Sequence, residues 1–68
     1  MPIIQVTLLE GRSRETKQRL IDLLTQAAID AVGAPRENVR VMIWEIPPEN
    51  FAVGGQVKPP PVLPGGSQ

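Results

Sequence analysis

Few residues in this chain are equipped for chemistry. It contains no Cys and no His, which removes disulfides, thiolate nucleophiles and the usual zinc ligands. What remains are carboxylates, two Lys, five Arg and a proline directly after Met1. Pro2 is the reactive candidate. Its small side chain is of the kind that favours removal of the initiator methionine, and removal leaves Pro2 as a terminal secondary amine on a ring that fixes φ. With Met1 retained, the same nitrogen is a tertiary amide without a basic lone pair. Burial and nearby cations both lower an amine's pKa, so a terminal amine held inside a fold can act as a base near neutral pH. Arg keeps its proton and forks onto carboxylates, so Arg12 and Arg40 suit anion binding and stabilisation of a growing oxyanion. Each residue also has a plainer use. Proline is tolerated at a strand start, Arg12 in a loop can be solvated charge, and Phe51 can simply pack. Arg40, set between Val39 and Val41, must reach either water or a partner.

Those groups need elements to hold them. Pro2 to Leu9 reads as a strand with Ile4, Val6 and Leu8 on one face and Ile3, Gln5, Thr7 and Leu9 on the other. Both faces are mostly apolar, as in a strand covered on both sides. Glu10 to Arg12 form a turn, and Ser13 is the N-cap of a helix from Arg14 to Val32 with Glu15 in its first turn. Leu20, Leu24, Ala27 and Ala31, joined by Ile21, Leu23, Ala28 and Val32, make its apolar stripe. Arg14, Lys17, Gln18, Asp22, Thr25 and Gln26 point mainly outward. Gly33 ends the helix, and Pro35 starts one short helical turn. A second strand, Val39 to Ile46, places Arg40, Met42 and Trp44 on one face and Val39, Val41 and Ile43 on the other. A strand, a helix and a strand joined this way form a right-handed βαβ unit with parallel strands. Pro47 and Pro48 stop the second strand. Gly54-Gly55 then turns a hairpin that positions Phe51. The expected fold is α/β: one βαβ domain with a C-terminal hairpin over residues 1–57, then a Pro/Gly-rich extended tail over 58–68.

Size dictates the next expectation. A chain of 68 residues buries only about 60% of the surface its unfolded form exposes. Such a fold needs staples, metals or copies of itself, and without Cys or His the copies remain. Seven Lys plus Arg balance seven Asp plus Glu, so no basic footprint for nucleic acid is present. Arg14, Arg19 and Arg36 read as solvated helix-face or loop charge. No apolar run nears the roughly 20 residues of a membrane span, and no signal-peptide pattern is seen. A soluble, cytoplasmic protein is expected.

The residues also carry a family likeness. Pro2 at the head of the strand, Leu9-Glu10-Gly11-Arg12-Ser13 leading out of it, Asn38-Val39-Arg40-Val41 opening the second strand and Phe51-Ala52-Val53-Gly54-Gly55 together resemble the 4-oxalocrotonate tautomerase family of the tautomerase superfamily. The likeness spans about Met1 to Gln56 in register, without an insertion. It implies a cofactor-independent isomerase with Pro2 as proton carrier, acting on unsaturated 2-hydroxy or 2-oxo dicarboxylates such as 2-hydroxymuconate from aromatic catabolism. By the same likeness Arg12 holds the substrate's far carboxylate, Arg40 binds the near carboxylate and 2-oxygen, and Phe51 keeps the site dry. Leu9 and Asn38 join Arg12, Arg40 and Phe51 in binding substrate. The implied assembly is a homohexamer, a trimer of dimers, with neither cofactor nor metal.

The sequence departs from the family pattern at Trp44, at Pro47-Pro48-Glu49-Asn50 and in the tail. Two other readings follow from the residues. One keeps Pro2 but uses its protonated form as an acid, in hydration, dehalogenation or decarboxylation of small acids. The other is a non-catalytic subunit of a hetero-oligomer.

Overall fold

Strand β1 spans Ile3–Leu9 in a computed structural model that describes residues 1–57. Proline has no N–H to give a ladder, so the strand opens at Ile3 instead of Pro2. The Pro2 carbonyl is nonetheless engaged, accepting the Arg40 N–H at 3.0 Å. Gly11, at φ 127°, turns the chain out of β1 through a conformation that favours glycine. Helix α1 then runs over Arg14–Val32, with the Ser13 hydroxyl accepting the Thr16 N–H at 3.1 Å. Glu15 lies in the first turn, where the helix dipole favours negative charge. Gly33 closes the helix in the left-handed conformation, φ 71°, with its N–H on the Ile29 carbonyl at 2.9 Å. Both ends of the helix thus fall where the capping residues placed them.

A three-residue 3₁₀ turn over Arg36–Asn38, led by Pro35, returns the chain to strand β2 at Arg40–Ile46. Val39, expected in the strand, belongs to the turn instead, because its N–H is taken by the Arg36 carbonyl at 3.1 Å. β2 runs parallel to β1, with Ile3 opposite Arg40 and Leu9 opposite Ile46. The βαβ unit is therefore present as read. Pro47 leads a second 3₁₀ turn at Pro48–Asn50. Strands β3, Ala52–Val53, and β4, Gln56–Val57, then pair antiparallel. Gly54 and Gly55 join them at φ 60° and 81°, the positive pair that a type I′ turn requires. The expected tail over 58–68 lies outside the described residues.

α1 covers one face of the two-stranded sheet. Ile4, Val6, Leu8, Val41 and Ile43 lie half-buried against it, as their alternation predicts. The other face is open. Ile3 and Trp44 are 55% and 59% exposed there, so the double cover expected for β1 is not supplied within the chain. The helix stripe also needs correction. Lys17, Leu20, Ile21, Leu24, Thr25, Ala28 and Ile29 are the half-buried positions, whereas Leu23, Ala27, Ala31 and Val32 are exposed. A sheet only two strands wide covers a narrow arc, which leaves the flank of the apolar stripe bare. Lys17 and Thr25 fall inside that arc. Lys17 reaches Glu45 at 3.1 Å, and the Thr25 hydroxyl donates to the Ile21 carbonyl at 2.7 Å. Among the described residues none is fully buried. Nor is any described helix long and apolar enough to cross a membrane.

Candidate active site

Parallel strands begin at the same end of a sheet, and that sorts the candidate residues into two groups. At the leading end, Pro2 stands half-buried before β1, and Asn38 and Arg40 stand beside it at the start of β2. Ile3 is the register partner of Arg40, and the Arg40 N–H rests on the Pro2 carbonyl. At the trailing end lie Leu9, the last residue of β1, Arg12 in the loop beyond it, and Phe51 beyond the end of β2. The seven residues of β1 separate the groups. At about 3.3 Å per residue, that is roughly 20 Å.

Within each group an arginine is held by a main-chain carbonyl. Arg12 donates from Nη1 to the Leu9 carbonyl at 3.2 Å. Arg40 donates from Nη1 to the Asn38 carbonyl, also at 3.2 Å. One guanidinium nitrogen is therefore engaged, leaving others of the fork for an anion. The local folds explain both contacts. The glycine turn at Gly11 folds Arg12 back over the end of β1. The 3₁₀ turn, closed by the Asn38 N–H on the Pro35 carbonyl at 2.9 Å, aims the Asn38 carbonyl along β2. Sequence reasoning gave Leu9 and Asn38 to substrate binding; their carbonyls as supports for the two arginines went unread. The short spacings, Leu9 to Arg12 and Asn38 to Arg40, were the available signal.

Phe51 follows the proline-led turn, its N–H on the Pro48 carbonyl at 3.0 Å, with its ring partly exposed. Trp44 lies on the same open face as Arg40, four residues further along β2, about 13 Å at strand spacing. It is therefore not beside the Arg40 guanidinium's base in its own chain. A shallow, solvent-open depression on the outer surface of α1, lined by Glu15, Thr16, Gln18, Arg19 and Asp22, contains none of the six candidate residues. Its lining is long polar side chains on one exposed helix face, without a converging reactive group. Among the described residues no three Asp or Glu side chains gather into a metal-holding group.

The fold and the order of these residues find their counterpart in known proteins. The family described as tautomerase enzyme matches residues 2–59. A tautomerase-named protein of Ralstonia nicotianae is 57% identical over 58 residues, covering 85% of this chain and 83% of its own. The 2-hydroxymuconate tautomerase of Comamonas testosteroni is 49% identical over 55 residues, covering 81% and 87%. Among solved structures, the heterohexamer 4-oxalocrotonate tautomerase of Chloroflexus aurantiacus J-10-fl superposes with a TM-score of 0.81 at 42% identity, covering 84% of this chain and 92% of that one. The chain belongs to the tautomerase superfamily, in its 4-oxalocrotonate tautomerase family. Its activity is that of a tautomerase, an isomerase.

Proposed function

We propose that this chain isomerises unsaturated 2-hydroxy or 2-oxo dicarboxylates such as 2-hydroxymuconate, with Pro2, freed by loss of Met1, as the general base. The nitrogen of Pro2 takes the proton of the enolic 2-hydroxyl, and the electrons of that O–H bond become the 2-oxo group as the conjugated double bonds shift. The same nitrogen then returns a proton to a distant carbon of the conjugated system. No redox step occurs and the atoms balance without a cofactor. Arg40 binds the near carboxylate and the 2-oxygen, where negative charge develops. Arg12 forks onto the far carboxylate. Leu9 and Asn38 hold the two guanidinium groups and border the substrate, and Phe51 excludes water so that the amine stays a base near neutral pH. The 2-hydroxymuconate tautomerase relative supports this substrate class, and tautomerase names among the relatives favour the base over the acid reading.

One observation carries the proposal: the leading end of the sheet holds the base and one arginine, and the trailing end holds the other arginine and the aromatic. A separation of roughly 20 Å along the strand is too long for one small diacid to bridge. Two copies related by a two-fold axis perpendicular to the strands would lie end for end, which sets the leading end of each against the trailing end of the other and forms two sites per pair. The exposed sheet face and helix flank supply apolar surface for such an assembly, and the reading extends to a homohexamer built from three pairs. The Chloroflexus relative is a heterohexamer.

Subunit mixing tests this. Assayed with a dicarboxylate far below the parent KM, Pro2→Ala and Arg12→Ala oligomers are each expected to be nearly inactive. Unfolding and refolding the two together restores intact sites, roughly one quarter of the total under random pairing across a two-fold interface. A mixture no more active than its parts sinks the shared site.

A further inference from the structure

Given the role proposed for Arg12, on which this rests, we propose that Lys17 and Glu45 are positioning residues that hold Arg12 in place for the substrate's far carboxylate. The Lys17 Nζ and the Glu45 Oε1 stand 3.1 Å apart. They join the first turn of α1 to the next-to-last residue of β2. Neither side chain has another part in the site.

The need for such a tie follows from how the helix is seated. Arg12 lies in the short turn between β1 and α1, so its place depends on both elements. On the strand side the turn is fastened twice, by the Glu10 N–H on the Ile46 carbonyl at 3.0 Å and by the Arg12 Nη1 on the Leu9 carbonyl at 3.2 Å. On the helix side the Ser13 hydroxyl accepts the Thr16 N–H at 3.1 Å and donates to the Thr16 hydroxyl at 2.9 Å, while the Ser13 carbonyl accepts the Lys17 N–H at 3.1 Å. These bonds shape the helix end without attaching it to the sheet. Leu20 is the first apolar helix residue to lie half-buried, roughly 10 Å of helix beyond Ser13. Between them Lys17 alone is half-buried; Arg14, Glu15, Thr16, Gln18 and Arg19 are exposed.

Glu45 suits the task because its neighbour Ile46 carries the carbonyl that receives Glu10. A closed path thus runs from Glu10 through Arg12 and Ser13 to Lys17, across to Glu45, and back through Ile46 to Glu10. A turn held at both ends has fewer conformations than one held at a single end. The two side chains are 29% and 31% exposed, and an ion pair wetted to that degree adds little to overall stability. Its effect falls on geometry instead. The fork of Arg12 meets a carboxylate in a bidentate arrangement, so a drift of the turn costs binding that global unfolding does not register.

Steady-state kinetics on the full chain test this, using a dicarboxylate and the matching monoacid without the far carboxylate. Lys17→Met keeps an apolar stem on the sheet and removes the charge. It is expected to raise KM for the dicarboxylate about two- to fivefold, the range of a half-exposed ion pair, with kcat and both monoacid parameters at parent values. Exchanging the charges, Lys17→Glu with Glu45→Lys, is expected to restore that KM. Added to Arg12→Ala, Lys17→Met is expected to change nothing further, because both act on one contact. A parent-like KM in Lys17→Met, equal losses on the two substrates, or a full further rise on top of Arg12→Ala overturns the proposal. Amide hydrogen exchange separates it from the reading of Arg12. Lys17→Met is expected to speed exchange of the Glu10, Thr16 and Lys17 amides and to spare those beyond Leu24. If Arg12→Ala fails to discriminate the two substrates while this exchange is faster, the role of Arg12 falls and the tie of the turn stands. Unchanged exchange overturns the tie whatever Arg12 does.

Discussion

The two ends of the sheet are made differently. At the leading end, Pro2 and Arg40 are fastened by regular ladder geometry: adjacent strands, a fixed register and a hydrogen bond between their main chains. At the trailing end, Arg12 and Phe51 sit on a glycine turn and a proline turn beyond the strands. The leading end is thus suited to hold a reacting atom still, and the trailing end to vary what is received. A sheet end fixes position through many cooperative bonds, whereas a loop adapts at low cost to the rest of the fold.

Mutations that break this contrast rank by expected size. Pro2→Ala replaces the rigid secondary amine proposed as the base with a freely rotating primary one and is expected to lower kcat by about 10²–10⁴-fold, the usual span of positioned acid–base catalysis, with the assembly unchanged by sedimentation. A parent-like kcat removes Pro2 from the chemistry. Arg40→Ala, at the same end, is expected to reduce kcat by about 10²-fold or more, because it withdraws stabilisation that matters most as the oxyanion grows. A change confined to KM contradicts that role. Arg12→Ala should act mainly on KM for a dicarboxylate, and far less for the matching monoacid without the far carboxylate. Equal losses on both substrates would show Arg12 to be structural.

The pH profile sharpens the comparison further. A base must be unprotonated, so kcat/KM should rise with pH through the pKa of the Pro2 amine. Phe51→Ala admits water and favours the charged form, moving that rising limb to higher pH. A falling limb in its place marks Pro2 as an acid. Smaller effects belong to the scaffold. Ser13→Ala should cost about 1 kcal/mol of stability by loss of the N-cap. Gly33→Ala should cost roughly 1–2 kcal/mol, since φ there is 71° and no atom crowds an added Cβ. Chemical denaturation of each variant at one protein concentration measures both, and unchanged unfolding curves contradict the capping roles.

Much of this fold was legible because its punctuation is local. Ser13, Gly33, Pro47 and the Gly54-Gly55 pair each dictate backbone geometry at one position, and the elements begin and end there. The covered arc of the helix was not legible. Leu23, Ala27 and Ala31 share the helical period of Leu20 and Leu24, and the period does not tell how wide a sheet lies beneath. Lys17 read as solvent-facing because its charge is exposed by habit, yet its stem lies along the sheet and its amine meets Glu45. For the candidate site, parallel pairing made the neighbourhood of Pro2 and Arg40 deducible. The proposed meeting of Pro2 with Arg12 was not, since the two lie at opposite ends of β1 and a second copy is proposed to close that distance.

The rung between the Pro2 carbonyl and the Arg40 N–H has a consequence for how an imino acid can work at a chain end. Any other residue type there would offer the ladder a hydrogen from its nitrogen, and the sheet would compete with the substrate for that atom. Proline is gripped solely through its oxygen. With Met1 lost, as proposed, the scaffold would restrain the residue while its lone pair stayed uncommitted.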